Sequence, residues 1–139
     1  MKVLIAVDSS PSSERVLEEA AARPWPRGSV FSVVHVVDLQ RFTKLPMLVD
    51  DAKREGDRTL NAGVEKLSRS GHTALPEVTL GFPRWAISEY AKEWHADLIM
   101  AGSHGHNAIG RFLLGSVAHP ISSPCVHRVT RPTVASSSR

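Results

Sequence analysis

Cysteine is almost absent from this chain. Cys125 is the one cysteine in 139 residues, so no intramolecular disulfide can form, and this usage suits a reducing compartment. It stands between Pro124 and Val126 in a strand-like segment. We therefore expect Cys125 to be a small core residue rather than a catalytic thiol.

Long apolar runs are also missing. No stretch approaches the roughly 20 apolar residues that a membrane-spanning helix needs. Lys2 is followed by only five apolar residues before Asp8, a run too short for a secretory signal peptide. These two observations predict a cytoplasmic protein.

Neither sign of charge is concentrated. The 17 basic residues are scattered among 14 acidic ones, which gives a formal net charge of +3. Because there is no basic run and no interleaving of basic with aromatic residues, the pattern indicates a solvated surface rather than a nucleic-acid interface. We predict neither a nucleic-acid partner nor a membrane partner.

Recognisable catalytic and metal-binding constellations are lacking too. His104 and His106 would share one side of an extended strand, but no third ligand follows at a suitable spacing. No Ser-His-Asp order, paired carboxylates or nucleophile elbow indicates hydrolytic chemistry. We therefore assign no catalytic residue, and expect at most slow hydrolysis of any bound nucleotide.

What the chain does have is a spaced glycine pattern after a buried strand. Gly102 and Gly105 are followed, after nine intervening residues, by Gly115 and Ser116, and an apolar run over residues 96–101 precedes them. Glycines let backbone N–H groups approach an anion closely, and a helix beginning near Ser116 would add free donors. The pattern is neither a P-loop nor a dinucleotide fingerprint. It favours a phosphate-binding loop, and the alternative is a tight turn without a ligand.

Apolar strands alternate with amphipathic helices along the chain. We predict helices that begin after Ser10, at Pro83 and, as a short last helix, near Ser116. Apolar residues at helical spacing predict one more, which ends near Gly71: Leu60, Val64 and Leu67. The predicted strands cover residues 3–7, 28–37, 75–80, 97–101 and 126–130. Such alternation predicts an α/β protein with one doubly wound, open, parallel five-stranded sheet and helices on both faces. Residues 1–132 form one domain in this interpretation, and 133–139 a disordered Ser-rich tail.

In a doubly wound sheet, ligands bind beyond the carboxyl ends of the strands. Asp8 closes the first predicted strand and could accept hydrogen bonds from ribose hydroxyls, or instead cap the following helix. Ala6 and Val7 are small or apolar enough to line an adenine slot, although a core position suits them equally well. Asp38, at the end of the second strand, is expected to tip into the following loop.

The glycine pattern and its flanks resemble the universal stress protein family, in particular its ATP-binding branch. The similarity extends to MKVLIAVDSS at residues 1–10, SVVHVVD at 32–38, Gly81-Phe-Pro83 and ADLIM at 96–100. The resemblance implies a Rossmann-like fold of the adenine nucleotide alpha-hydrolase type. It also implies a bound adenine nucleotide, namely ATP, ADP or AMP, accompanied by Mg or Mn.

The residues expected to hold the nucleotide come partly from this resemblance, as for Val36, and partly from the glycine-rich loop itself. The backbone of Val36 would read the adenine edge, Gly102 and Gly105 would offer backbone donors, and Arg111 could reach the terminal phosphate. Ser116 would contact phosphate or the divalent ion. The full set of expected nucleotide contacts is Ala6, Val7, Asp8, Val36, Ala101, Gly102, Gly105, Arg111, Gly115, Ser116 and Val117.

Three functions remain open at this level. The first is a regulatory or stress-response module whose bound ATP sets a conformation or a partner surface. The second is a slow ATPase, for which His106, Asp38 and Ser116 are the candidate groups near the γ-phosphate. The third is a nucleotide-free structural protein that acts through dimerisation, although a degraded glycine pattern would then be expected.

The C-terminal part departs from the family pattern. Pro120 interrupts the last helix, and the fifth strand arrives about three residues early. By resemblance, that strand would pair with its two-fold mate in a homodimer, where His127, Arg128 and Arg131 would approach their own copies. The shortened helix leaves this dimer in question.

Overall fold

A computed structural model describes residues 1–102 and the backbone of a short strand at 125–128. The chain alternates strands and helices through most of this length, as predicted. The elements are β1 (Lys2–Ala6), α1 (Pro11–Ala22), β2 (Val30–Asp38), two short 3-10 turns (Leu39–Phe42 and Pro46–Leu48), α2 (Val49–Arg69), β3 (Thr73–Gly81), α3 (Pro83–Glu93), β4 (Leu98–Ala101) and β5 (Cys125–Arg128).

Prolines mark three of the helix bounds. Pro11 and Pro83 each occupy the first turn of their helix, where the missing N–H costs no intrahelical bond. Arg23, just before Pro24, ends α1 in an extended conformation. The connection between β2 and α2 contains the two 3-10 turns. None of the helices within residues 1–102 is long and apolar enough to cross a membrane.

The five strands form one sheet in the order β3-β2-β1-β4-β5. β1, β2, β3 and β4 run parallel, and Ala6 lies opposite both Val34 of β2 and Ala101 of β4. The predicted α/β architecture with a parallel sheet is therefore confirmed. β1, the first strand in the sequence, is flanked on both sides.

The fifth strand differs from the prediction, because it runs antiparallel to β4. Ala101 lies opposite Cys125 and Leu98 opposite Arg128, so β5 begins at the end of the sheet where β4 finishes. A parallel fifth strand would instead begin at the end of the sheet where β4 begins.

Two cores lie on the two faces of the sheet. Phe31 of β2 packs with Leu60 and Leu67 of α2 and with Val16 of α1 on one face. On the other face, Ile87 and Ala91 of α3 pack against Leu4, Val34 and Val36. Residues 3–7 are all fully or almost fully buried. β1 is therefore apolar on both sides, as expected of a central parallel strand.

This central position predicts unequal costs for two leucine truncations. Leu4 in β1 is fully buried, whereas Leu75 in the edge strand β3 is 52% exposed. Leu4→Ala should lower the free energy of unfolding by about 2 to 5 kcal/mol, and Leu75→Ala should change it by no more than about 0.5 kcal/mol. Urea denaturation of both variants measures the difference. Equal losses would contradict the assignment of β1 to the sheet centre.

The chain's one tyrosine provides a second prediction. The hydroxyl of Tyr90 in α3 lies 2.9 Å from Oγ of Ser32 in β2. Burial raises the pKa of the Tyr90 phenol, the hydrogen bond with Ser32 opposes this, and the charge of Glu77 adds to the rise. The net effect is a raised pKa in the folded protein, so the folded state holds its proton more tightly than the unfolded state does. This contribution to stability is present below the unfolded pKa of about 10 and is lost as pH rises through the folded value.

Because Tyr90 is the one tyrosine, phenolate absorbance reports on it alone. We expect its titration midpoint to lie above that of the urea-unfolded chain. Tyr90→Phe, compared with wild type across the same alkaline range, should show a shallower loss of stability. A midpoint at or below the unfolded value would contradict the burial of this phenol.

Candidate functional site

The sheet order creates a crevice at the carboxyl ends of β1 and β4. From β1, the chain moves outward on one side through β2 and β3, and then crosses to the other side of β1 to form β4. β2 and β3 therefore lie on one side of β1, and β4 and β5 lie on the other. Open α/β sheets bind ligands at such a change of side, the switch point. Val7 and Asp8 follow β1 there, and Gly102 follows β4.

Asp8 is half-buried at this crevice and organises the loop that leads into α1. Its Oδ1 accepts hydrogen bonds from the backbone N–H of Ser10 (2.8 Å) and from Oγ of Ser13 (2.9 Å). The Asp8 N–H in turn donates to Oγ of Ser13 at 2.7 Å. The bond to the Ser10 N–H is an Asx turn that precedes α1, and neither of these two bonds of the carboxylate caps a backbone N–H within the helix. Ser10 is the N-cap residue by position, as predicted, but its side chain makes no capping bond.

Val36 lies just beyond the point where the ladder between β1 and β2 ends. The Val7 N–H donates to the Val34 carbonyl at 2.9 Å, so the polar backbone groups of Val34 face β1. Groups two residues apart in a parallel strand point to the same side. The N–H and C=O of Val36 therefore also point toward the β1 side, into the crevice, and β1 supplies no backbone bond to either of them.

A small cleft opens on the α2 side of this crevice. Its volume is about 110 Å³, and it joins the end of β1, the end of β2 and α2. The charged or polar groups that line it include Asp8, Asp38, Arg41 and Glu55. Asp38 does tip into the following loop as predicted, because its Oδ1 accepts the Gln40 N–H at 3.0 Å.

Gly102 has a packing role that the sequence did not reveal. A Cβ on this residue would lie 2.6 Å from Cβ of Ser12 and 3.0 Å from its carbonyl carbon. The missing side chain therefore lets the end of β4 approach the first turn of α1. This close contact brings the start of the glycine-rich segment next to a helix N-terminus, which is a favourable place for an anion.

The other residues expected at the site fall into two groups. Ala6, Val7 and Ala101 are at most 3% exposed and belong to the two cores, so their side chains have the core role that was the alternative for Ala6 and Val7. The remaining predicted contacts lie outside the described residues. They are Gly105, Arg111, Gly115, Ser116 and Val117. The histidines at 104 and 106, considered above for metal binding, also lie outside the described residues.

Two further residues at the site were missed from the sequence. Nδ1 of His35 lies 3.0 Å from the Val7 carbonyl oxygen, and Gly56 of α2 lies against the His35 ring. The one available signal was a glycine inside a helical pattern, which often marks a close approach. Within residues 1–102, no group of three or more His, Cys, Asp or Glu side chains could hold a metal ion.

Comparison with known proteins agrees with this architecture. A Staphylococcus aureus (strain USA300) protein assigned to the universal stress proteins is 29% identical over 137 residues, covering 93% of this chain and 82% of that protein. A solved structure from the universal stress protein family of Burkholderia pseudomallei superimposes with a TM-score of 0.67 at 25% identity, covering 81% of this chain and 86% of that one.

A third relative of the fold was solved with a ligand. It is a universal stress protein in complex with cAMP, with a TM-score of 0.58 and 22% identity over 84% of this chain and 83% of that one. At this identity, the likeness concerns the fold alone. The sequence model of the universal stress protein family matches residues 1–132, nearly the whole chain. The protein therefore belongs to the universal stress protein family.

Proposed function

We propose that this chain binds an adenine nucleotide, ATP in the first place, at the switch point between β1 and β4, and acts as a regulatory or stress-response module. The observation that carries the proposal is the orientation of Val36. Its backbone N–H and C=O face the crevice past the end of β1. A donor and an acceptor side by side match the N1 acceptor and the N6 amino donor of adenine, whereas guanine in the same pose presents the reverse order.

The surroundings of Val36 support the rest of the nucleotide. Asp8 stands at the same crevice, where a carboxylate can accept hydrogen bonds from ribose hydroxyls. The contact between Gly102 and Ser12 brings the glycine-rich segment beside the start of α1, and a helix N-terminus favours phosphate. A universal stress protein of the same fold is known in complex with cAMP, which is itself an adenine nucleotide.

The residues proposed to bind the phosphates are inferred from the sequence. Gly105, Gly115, Ser116 and Val117 would supply backbone donors to the phosphates, and Arg111 would approach the terminal one. The Ser116 hydroxyl would contact a phosphate oxygen or an accompanying Mg or Mn ion. ADP and AMP fit the same base and ribose contacts.

The direct test is to denature the purified protein and identify released small molecules by mass spectrometry. Co-purified ATP, ADP or AMP would support the proposal. Co-purified cAMP would support adenine recognition and would replace ATP as the proposed ligand. For protein that is isolated empty, calorimetry with ATP and Mg gives the affinity. No measurable binding by either route would leave the nucleotide-free structural function as the better explanation.

Asp8 allows a quantitative prediction for the ribose contact. Asp8→Ala should weaken ATP binding by about 1.5 to 3 kcal/mol, the usual worth of hydrogen bonds to a charged group, which is roughly ten- to hundredfold in Kd. Asp8→Asn keeps an oxygen that can accept from Ser10 and Ser13 but removes the charge, so it separates ribose binding from the loop contacts. Asp57→Ala, at an exposed position on α2, is the matched control for charge. If Asp8→Ala binds ATP as tightly as this control, Asp8 serves only the loop.

We also propose a homodimer in which β5 pairs with its two-fold mate. β5 lies at the outer end of the sheet, next to β4, and edge strands carry unpaired N–H and C=O groups that favour such pairing. Because the sequence places His127 and Arg128 in β5, the contact should loosen as pH falls through the histidine range near 6.5 and tighten when salt screens like charges.

Light scattering at several pH values and salt concentrations measures this. A mass near twice 15.2 kDa at neutral pH, decreasing on acidification, is the expected result. A monomer mass at every micromolar concentration would remove the dimer from the proposal.

A further inference from the structure

The side chain of His35 contacts the backbone of Val7 at the end of the β1–β2 ladder. If the ladder continued past Val34, the next bond would join the Val36 N–H to the Val7 carbonyl. That backbone bond is not made, and Nδ1 of His35 lies 3.0 Å from the Val7 carbonyl oxygen. A carbonyl oxygen can only accept, so Nδ1 must carry the proton.

The neighbouring backbone shows that β1 has turned away at this point. The Asp8 N–H donates to Oγ of Ser13 at 2.7 Å, and β1 ends at Ala6. The Val7 carbonyl is thus held by a side chain of β2 rather than by the main chain of β2. Val36 is only 6% exposed, so an N–H left without a partner there carries a free-energy cost that a ligand can relieve.

The His35 ring is also held from its other side. A Cβ on Gly56 would lie 2.5 Å from Cδ2 of His35 and 3.1 Å from its Nε2. The ring therefore packs directly against α2. Any residue other than glycine at position 56 would place a Cβ in the space that the ring occupies. α2 and β1 together fix the imidazole in the orientation that reaches the Val7 carbonyl.

From this geometry we propose that His35 is a positioning residue for adenine recognition: by occupying the Val7 carbonyl, it ends the ladder one bond early and leaves the Val36 N–H for the base. The inference rests on the proposed nucleotide function. It assigns to His35 no contact with the nucleotide. His35 acts through Val36. It should therefore influence which base is bound as well as how tightly the nucleotide is bound.

The first experiment tests the ladder in nucleotide-free protein. Scalar couplings across hydrogen bonds, measured by NMR, show whether the Val36 nitrogen is bonded to the Val7 carbonyl carbon. We expect no coupling in wild type or in His35→Asn, whose amide can donate near the position of Nδ1. In His35→Leu, which has no donor, the coupling should appear. A Val36–Val7 coupling in wild type would overturn the inference whatever the protein binds.

The second experiment tests the consequence for the base. His35→Leu should raise the Kd for ATP about tenfold, the value of one hydrogen bond of ordinary strength, and should reduce the preference for ATP over GTP. His35→Asn should restore both quantities. The matched control is His72→Leu, because Nε2 of His72 lies 3.2 Å from the Ala21 carbonyl away from the site, and this variant should bind ATP as wild type does.

The two experiments separate the possible failures. If His35→Leu loses affinity equally for ATP and GTP, and His35→Asn does not rescue it, His35 is merely structural and the inference is wrong. If no variant and no wild-type protein binds nucleotide, the proposed function fails, and the role of His35 in base recognition fails with it. If His35→Leu does not fold, the wild-type coupling and the selectivity of His35→Asn still decide the matter.

Discussion

The pairing of β1 on both sides is the constraint on which the rest of this structure depends. Its start is fixed by a reciprocal contact with the start of β4, in which the Lys2 N–H donates to Oδ2 of Asp97 at 2.8 Å and the Asp97 N–H donates to the Lys2 carbonyl at 2.7 Å. Apolar side chains bury both faces of the strand. Because β1 is held along its whole length, the place where it ends is equally well defined, and the crevice lies there.

Three side chains bond the backbone groups that lie beyond the end of the β1 ladder. Oγ of Ser13 satisfies the Asp8 N–H, Oδ1 of Asp8 satisfies the Ser10 N–H, and His35 satisfies the Val7 carbonyl. Val36 is the residue to which this arrangement gives no partner from β1. Its N–H and C=O are therefore the backbone groups at this end of β2 that face β1 without a bond from it, and this holds whatever ligand is considered.

Much of the fold could be predicted because its signals are local. Pro11, Pro24 and Pro83 mark helix bounds, and the buried runs mark the strands. The direction of β5 could not be predicted, because a strand has the same apolar pattern whether it runs parallel or antiparallel. Its direction depends on where the preceding segment returns the chain.

The candidate site was predictable to a similar degree. Asp8 and Val36 were placed at the crevice from strand ends and from family resemblance, and the structure brings both there. The role of His35 was not predictable, since its partner Val7 is 28 residues away in the sequence and the contact needs the register of two strands. Gly102 was attributed to phosphate, whereas its contact with Ser12 depends on how β4 meets α1, which no local pattern records.

The contact between Lys2 and Asp97 also bears on how the protein comes to fold. The two residues are 95 positions apart, so β1 gains its second neighbour only after most of the chain has been synthesised. Contacts of such long range form late and slowly, since the chain must first lose the entropy of closing a large loop. The crevice between β1 and β4 does not exist in any shorter nascent chain. A ligand that binds there selects finished molecules over incomplete ones, and its binding free energy is added to the native state alone.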